Sequence, residues 1–283
     1  MPPSPESRVP SPADAIAFIG GGNMARSLVG GLVARGTPGS SIRVAEPVDA
    51  LREALQRDFG VVATADNAQA VAAAATWVLA VKPQVLRNVC EALASQARGQ
   101  RPLVISIAAG ITAIQIERWL GGDVAVVRCM PNTPALLGAG VTGLFANDRV
   151  DAAGRQAAET LLSAAGATVW IDDEVRMDAV TAVSGSGPAY VFLLAEAMQA
   201  AALAEGLEPE AARTLVLQTV LGAARMLTEG DADAAELRRR VTSPNGTTQA
   251  AIETFEAGGF RGLVGDAIHA AAERGRQLSA AND

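Results

Sequence analysis

The chain has 283 residues, 49% of them hydrophobic but only 4% aromatic, and a formal net charge of −7. That length can bury a sizeable core, in two domains or one large one, built from Ala, Val, Leu and Ile. The acidic balance argues against a nucleic-acid partner, which needs a basic face. Two cysteines, Cys90 and Cys129, and one histidine, His269, offer neither a disulfide framework nor a metal-ligand set. No metal is expected, and a reducing, cytoplasmic setting is.

Residues 1–12 are rich in Pro and Ser without an apolar centre and read as a disordered leader, not a signal peptide. No uninterrupted apolar run reaches membrane-spanning length, because Ser184-Gly185-Ser186-Gly187-Pro188 breaks the best candidate; no membrane partner is expected. Near the start, Ile16-Ala17-Phe18-Ile19 runs into Gly20-Gly21-Gly22-Asn23-Met24-Ala25, and an apolar 3.6-residue period follows through Leu28, Val29, Leu32 and Val33. This is strand, tight turn and helix. Gly20 permits the turn, Gly22 lets backbone approach a pyrophosphate, and Ala25 allows close helix–strand packing.

Further strands are expected at 41–45, 61–64, 76–81, 103–107 and 124–130, with helices between them, one at 48–57 and another opening near Asn67. Strands and helices alternating at this spacing predict an α/β fold with a doubly wound, mainly parallel sheet. Gly20 to Gly22, Glu46, Lys82-Pro83, Ala108 to Gly110 and Asn132-Thr133 each follow the last apolar residue of a strand. In open α/β sheets the ligand crevice lies beyond those carboxyl ends, so the five stretches predict one dinucleotide site. An edge strand at 138–146, a helix at 151–165 and a last short strand at 167–171 complete this part. The domain boundary is placed near Asp172-Asp173-Glu174, giving domains at 13–173 and 174–283.

From Asp178 onward only helical pattern remains: 188–207, 209–229, 232–241, 246–255 and 259–278. The first of these is apolar nearly all round, with Glu196 and Glu205 its only charges, and such a helix is a buried one. A mean hydropathy of +0.23 likewise suggests helix surface covered between subunits.

Several residues have two readings. Glu46 sits where an acidic side chain accepts from the adenosine ribose hydroxyls, which favours NAD(H) over NADP(H); otherwise it is a solvated loop carboxylate. Asn67 reaches the same ribose or is an N-cap. Lys82 is a catalytic base or has a pyrophosphate-side or structural role. His269 reads as a surface histidine and Cys129 as a small core residue. Thr242-Ser243-Pro244-Asn245-Gly246-Thr247-Thr248 opens a helix whose free N–H groups suit a small anion such as a carboxylate. A capped helix start explains Ser243 and Pro244, but not Gly246, a poor residue inside a helix.

These stretches together resemble the Δ1-pyrroline-5-carboxylate reductase family. The runs that carry the resemblance are Phe18 to Met24, Ala80-Val81-Lys82-Pro83, Ser106-Ile107-Ala108-Ala109-Gly110, Arg128-Cys129-Met130-Pro131-Asn132-Thr133-Pro134, Ala182 to Tyr190, and 241–248. The resemblance implies an NAD(P)H-binding domain of Rossmann type, then an all-helical substrate-binding domain that interlocks in a homodimer, with rings of dimers in some relatives. It implies that Gly20, Gly22, Asn23 and Met24 hold the pyrophosphate and Asn67 touches the adenosine ribose. Ala80, Val81, Lys82 and Pro83 line the cofactor cleft, and Asn132, Thr133 and Pro134 neighbour the nicotinamide. Ser243, Gly246, Thr247 and Thr248 bind 1-pyrroline-5-carboxylate, with Thr248 near the ring nitrogen as the catalytic residue. NADPH or NADH is the implied cofactor, and Glu46 departs from the small polar or basic neighbours that a 2′-phosphate needs. The chemistry requires no catalytic histidine, since a cyclic imine can already carry its proton and the enzyme mainly holds two reactants face to face. The rival readings are a non-catalytic dinucleotide sensor, which leaves the loop at 243–248 unexplained, and a reductase of another small imine or keto compound.

Overall fold

The computed structural model describes residues 15–281, so the leader expected at 1–12 lies outside the described residues. Strand β1 (Ile16–Ile19) leads into helix α1 (Asn23–Ala34). β2 (Ile42–Ala45), α2 (Asp49–Phe59), β3 (Val62–Thr64), α3 (Asn67–Val71), β4 (Thr76–Leu79) and α4 (Pro83–Gln100) follow. β5 (Leu103–Ser106), α5 (Ala113–Trp119), β6 (Ala125–Met130), β7 (Gly140–Ala146), α6 (Ala152–Leu162) and β8 (Gly166–Trp170) complete the sheet region. Helix α4 shows why these segments form. Pro83 occupies its first turn, where no N–H is needed, and Leu86, Cys90, Leu93 and Ala97 are buried along one face.

The strands form one sheet in the order β3-β2-β1-β4-β5-β6-β7-β8. β1 to β6 are parallel, β7 runs antiparallel to β6, and β8 pairs parallel with β7. Side chains alternate between two apolar layers. Phe18, Val78 and Ile105 join Leu28, Val29 and Leu32 in one, while Ile19, Trp77 and Val104 join Leu86 and Leu93 in the other. This double burial is why the strands read as continuous apolar runs. One expectation is corrected here. The strand at 138–146 is not an edge but lies between β6 and β8, and it is accordingly buried along most of its length. β8 is the edge on that side, with alternate residues exposed.

Beyond the sheet the chain is helical: α7 (Met177–Val180), α8 (Gly187–Ala204), α9 (Pro209–Glu229), α10 (Ala234–Arg240), α11 (Thr247–Ala257) and α12 (Phe260–Ala281). Two compact units result, 186–270 and the remainder, to which 271–281 returns. The unit that carries the sheet extends through Gly185. Buried Arg128 on β6 pairs with Glu174 (3.2 Å) and Asp178 (3.6 Å) and holds the segment after β8 to the sheet. In the 186–270 unit Ala195, Ala212 and Val216 are the only buried apolar side chains among the described residues. In the chain by itself helix α8 leaves Phe192 and Leu193 each 65% exposed, with nothing among the described residues covering that side.

The Ser184–Pro188 stretch interrupts the regular α-helix, with Ser186 as the N-cap of α8, without ending the helical run as expected. Residues Thr181–Gly185 wind as one π turn, and Glu174–Ala204 becomes a run of 31 residues, long and apolar enough by length and composition to cross a membrane. Packing against a second copy of the chain is the other way in which such an exposed apolar face becomes buried. Phe192→Glu is therefore expected to abolish self-association, while the wild-type protein runs as a dimer or larger in light scattering. A well-folded wild-type monomer at micromolar concentration would contradict this.

Candidate active site

The parallel strands place the carboxyl ends of β1, β2, β4, β5 and β6 along one edge of the sheet. Gly20 has φ +103°, and a Cβ there would stand 2.7 Å from the Ala80 carbonyl oxygen, so the turn crosses directly over the end of β4. Its N–H donates to the Ala45 carbonyl at 2.8 Å. Gly22 is different. It caps α1 in ordinary extended backbone, and a Cβ there would meet nothing within 4 Å. Neither folding nor packing demands glycine at 22; its absent side chain leaves open space before the first-turn N–H groups of Asn23, Met24 and Ala25. No side chain caps these groups and no acidic residue lies in the first turn. The opening fits a pyrophosphate, on which both the N–H groups and the helix dipole act favourably.

Glu46 is buried at 7% exposure, which corrects the solvated-loop alternative. Its Oε2 accepts from Gly21 N–H (2.9 Å) and its Oε1 from Val48 N–H (3.0 Å). The N-cap alternative for Asn67 is also corrected: Asp66 caps α3, accepting from Ala68 N–H at 2.8 Å, and Asn67 is the first residue of that helix. The Asn67 side chain is half-buried and makes no hydrogen bond among the described residues. Ala80 continues the sheet through its N–H to Ile19 O (2.8 Å), Val81 packs on an apolar layer, and Lys82 is exposed immediately before Pro83.

At the end of β6 the Asn132 side chain is spent within the protein. Its Nδ2 donates to Ser184 O (3.1 Å) and its Oδ1 accepts from Val141 N–H (3.0 Å), joining β7 to the π turn. Thr133 and Pro134 then open a 3₁₀ turn, with Thr133 exposed. The π turn is a part of this region to which no role had been given, although such turns gather at functional sites. A Cβ on Gly185 would lie 2.5 Å from Met130 Cε, so the turn sits hard against the end of β6. The Arg128 cluster was likewise unforeseen; a lone charge amid Val126-Val127-Arg128-Cys129 is the signal that could have found it. Burial pushes the Cys90 thiol up to about 12, helped by Glu91, and raises Cys129 further, so neither is a ready nucleophile. His269 is exposed.

In the helical unit the stretch at 241–249 is braced by its own groups. Ser243 O accepts from Gly246 N–H (3.0 Å) across a turn with Pro244 second and Asn245 third, at φ +59°. Thr242 Oγ1 donates to Arg238 O (2.6 Å), and Gln249 Oε1 accepts from Asn245 N–H (2.7 Å). Gly246 is the N-cap of α11 and not an interior residue, so its helix propensity is no argument; glycine is acceptable there. What it does is leave the N–H groups of Thr247 and Thr248 without a capping side chain. The hydroxyls of Ser243, Thr247 and Thr248 have no partner among the described residues.

A glycine-capped dinucleotide turn on a parallel sheet, followed by a helical unit with its own anion-ready helix start, defines an NAD(P)H-dependent oxidoreductase. Residues 174–278 match the family model described as pyrroline-5-carboxylate reductase dimerisation, and 15–110 match one described as NADP oxidoreductase, coenzyme F420-dependent. The chain is 53% identical, over 93% of its length and 96% of the relative's, to the pyrroline-5-carboxylate reductase of Pseudomonas aeruginosa. It is 43% identical to that of Vibrio alginolyticus over 93% and 97%. The structure of a Coxiella burnetii pyrroline-5-carboxylate reductase superposes with TM-score 0.91 at 45% identity, covering 94% of this chain and 99% of that one. A Plasmodium falciparum pyrroline carboxylate reductase with NADP bound gives 0.83 at 26% identity, covering 95% and 100%. The chain belongs to the pyrroline-5-carboxylate reductase family.

Two alanine variants separate the roles of the glycines. Gly20→Ala is expected to lower stability by roughly 2 kcal/mol through its positive φ and the clash with Ala80. Gly22→Ala should change unfolding by less than about 0.5 kcal/mol yet weaken dinucleotide binding on the order of tenfold, equivalent to ~1.4 kcal/mol. Thermal unfolding and NADH titration check the pair.

Proposed function

We propose that the chain reduces the C=N bond of 1-pyrroline-5-carboxylate with NADPH or NADH to give L-proline, the last step of proline biosynthesis. Family membership across nearly the whole chain carries this reading. The nicotinamide cofactor, when bound, supplies the hydride for the imine carbon. Gly20, Gly22, Asn23 and Met24 hold its pyrophosphate through the open turn, and Glu46 and Asn67 serve the adenosine ribose. Ala80 to Pro83 line the cleft. Asn132 to Pro134 form the wall beside the nicotinamide, through main chain and Thr133, since the Asn132 amide is already engaged.

The substrate carboxylate rests on the N–H groups at the start of α11 and on Ser243, with Gly246 leaving room for it. Thr248 donates its hydroxyl proton in a hydrogen bond to the ring nitrogen as that atom gains electron density. The residues thus orient and exclude water; no separate acid or base is needed. As functional divisions, 13–173 bind the dinucleotide, and 174–283 bind substrate and associate. The assembly is a homodimer, or a ring of such dimers, working in the cytoplasm with no metal.

Initial rates with 1-pyrroline-5-carboxylate and each cofactor test this proposal. Substrate-dependent oxidation is expected with both, and substantially with NADH; cofactor binding without turnover would overturn it. Thr248→Val keeps shape and removes one hydroxyl, and a lost bond to a charged or developing-charge group is typically worth about 1.5–3 kcal/mol. kcat/KM for the imine should therefore fall roughly tenfold to over a hundredfold, with cofactor affinity unchanged. Ser243→Ala should act mainly on KM, because the carboxylate is present in both ground and transition states.

A further inference from the structure

The Glu46 carboxylate ties two loops together. Its Oε2 takes the N–H of Gly21, between β1 and α1, and its Oε1 takes the N–H of Val48, between β2 and α2. The residue carrying it is itself anchored: its N–H donates to Thr64 O at 2.9 Å and its carbonyl accepts from Arg52 Nη1 at 2.7 Å. Gly21 lies against the stem of this side chain. A Cβ added there would stand 3.1 Å from Glu46 Cβ and 2.8 Å from Leu55 Cδ1. Gly21 is buried, and a buried N–H without an acceptor is costly, so a tight turn at this place needs a protein acceptor before any ligand arrives.

From this we infer that Glu46 is a positioning residue: it holds the turn at 20–22 in its binding-ready form through the Gly21 N–H. The inference rests on the reading that this turn receives the dinucleotide. It goes beyond that reading by giving Glu46 a task that does not depend on the adenosine ribose. With the Gly21 N–H satisfied by Glu46 and the Gly20 N–H by Ala45 O, Gly20 serves the ligand through the shape of the turn. The N–H groups offered to the ligand are those from Gly22 onward, which Glu46 keeps in place; this is preorganisation, and it acts on NADH and NADPH alike. The negative charge adds a separate effect that opposes only a 2′-phosphate. Removing the side chain therefore loosens NADH fully and NADPH less, because the second effect offsets the first.

The test is Glu46→Ala, read by amide hydrogen exchange at Gly21 in the ligand-free protein and by Kd for NADH and NADPH. The expected result is Gly21 exchange at least about tenfold faster, NADH weakened on the order of tenfold, and NADPH weakened less. Weaker NADH with Gly21 exchange unchanged would mean that Glu46 acts on the ribose alone, and would overturn the inference. So would faster exchange with NADH affinity intact. If the alanine variant does not fold, Glu46→Gln, which keeps the shape and one acceptor, is expected to show both effects in smaller measure; wild-type values for both overturn the inference. A wild-type protein that binds neither cofactor would instead remove the underlying site.

Discussion

The molecule depends on two helices that start at glycine. Four others, α3, α5, α6 and α10, have Asp66, Thr112, Asp151 and Asp233 at their N-caps, and each of these side chains takes first-turn N–H groups of its own helix. Helices α1 and α11 begin at Gly22 and Gly246 with no capping side chain. A cap is worth typically about 1 kcal/mol, so an uncapped start forgoes local stability unless something else uses the amides. Helices α2, α4, α8 and α9 also start without a side-chain cap, so what sets α1 and α11 apart is the glycine at the N-cap, which leaves room for an anion. In the function proposed above, one serves the cofactor pyrophosphate and the other the substrate carboxylate.

The rest of the first unit holds the α1 start in position. The parallel sheet aligns the strand ends, Gly20 lets the turn cross over Ala80, and Glu46 binds the turn from beneath. Further along the same edge, Asn132 joins the end of β6 to β7 and to the π turn, and Arg128 fixes Glu174 and Asp178. The helical unit has the opposite character. Among the described residues only Ala195, Ala212 and Val216 are its buried apolar side chains, and its apolar helix α8 is exposed, which suits the dimerisation domain that the matching family model describes.

Much of this was legible in the residues. The strand–turn–helix order, the alignment of the strand ends along one edge and the second, helical unit all follow from periodicity and glycine placement. Periodicity reports whether a face is covered, not by what; hence α8 read as buried, when one chain leaves it open. It also cannot tell an edge strand from an inner one when both are apolar, as at β7. Caps depend on one residue's backbone angles, so the cap read at Asn67 falls one residue earlier, at Asp66, and Gly246 looked interior when it stands just before the helix. Long-range polar partners were the least visible. Glu46 with Gly21, and Arg128 with Glu174, are 25 and 46 residues apart, and only the fold brings them together.

The most direct measurement of the central claim is kcat/KM for 1-pyrroline-5-carboxylate against 1-pyrroline, the same ring without its carboxylate. If the start of α11 grips that carboxylate and uses it to place the imine, the smaller ring should be reduced at least about a hundredfold less efficiently, ~2.7 kcal/mol. Comparable values for the two imines would contradict the account.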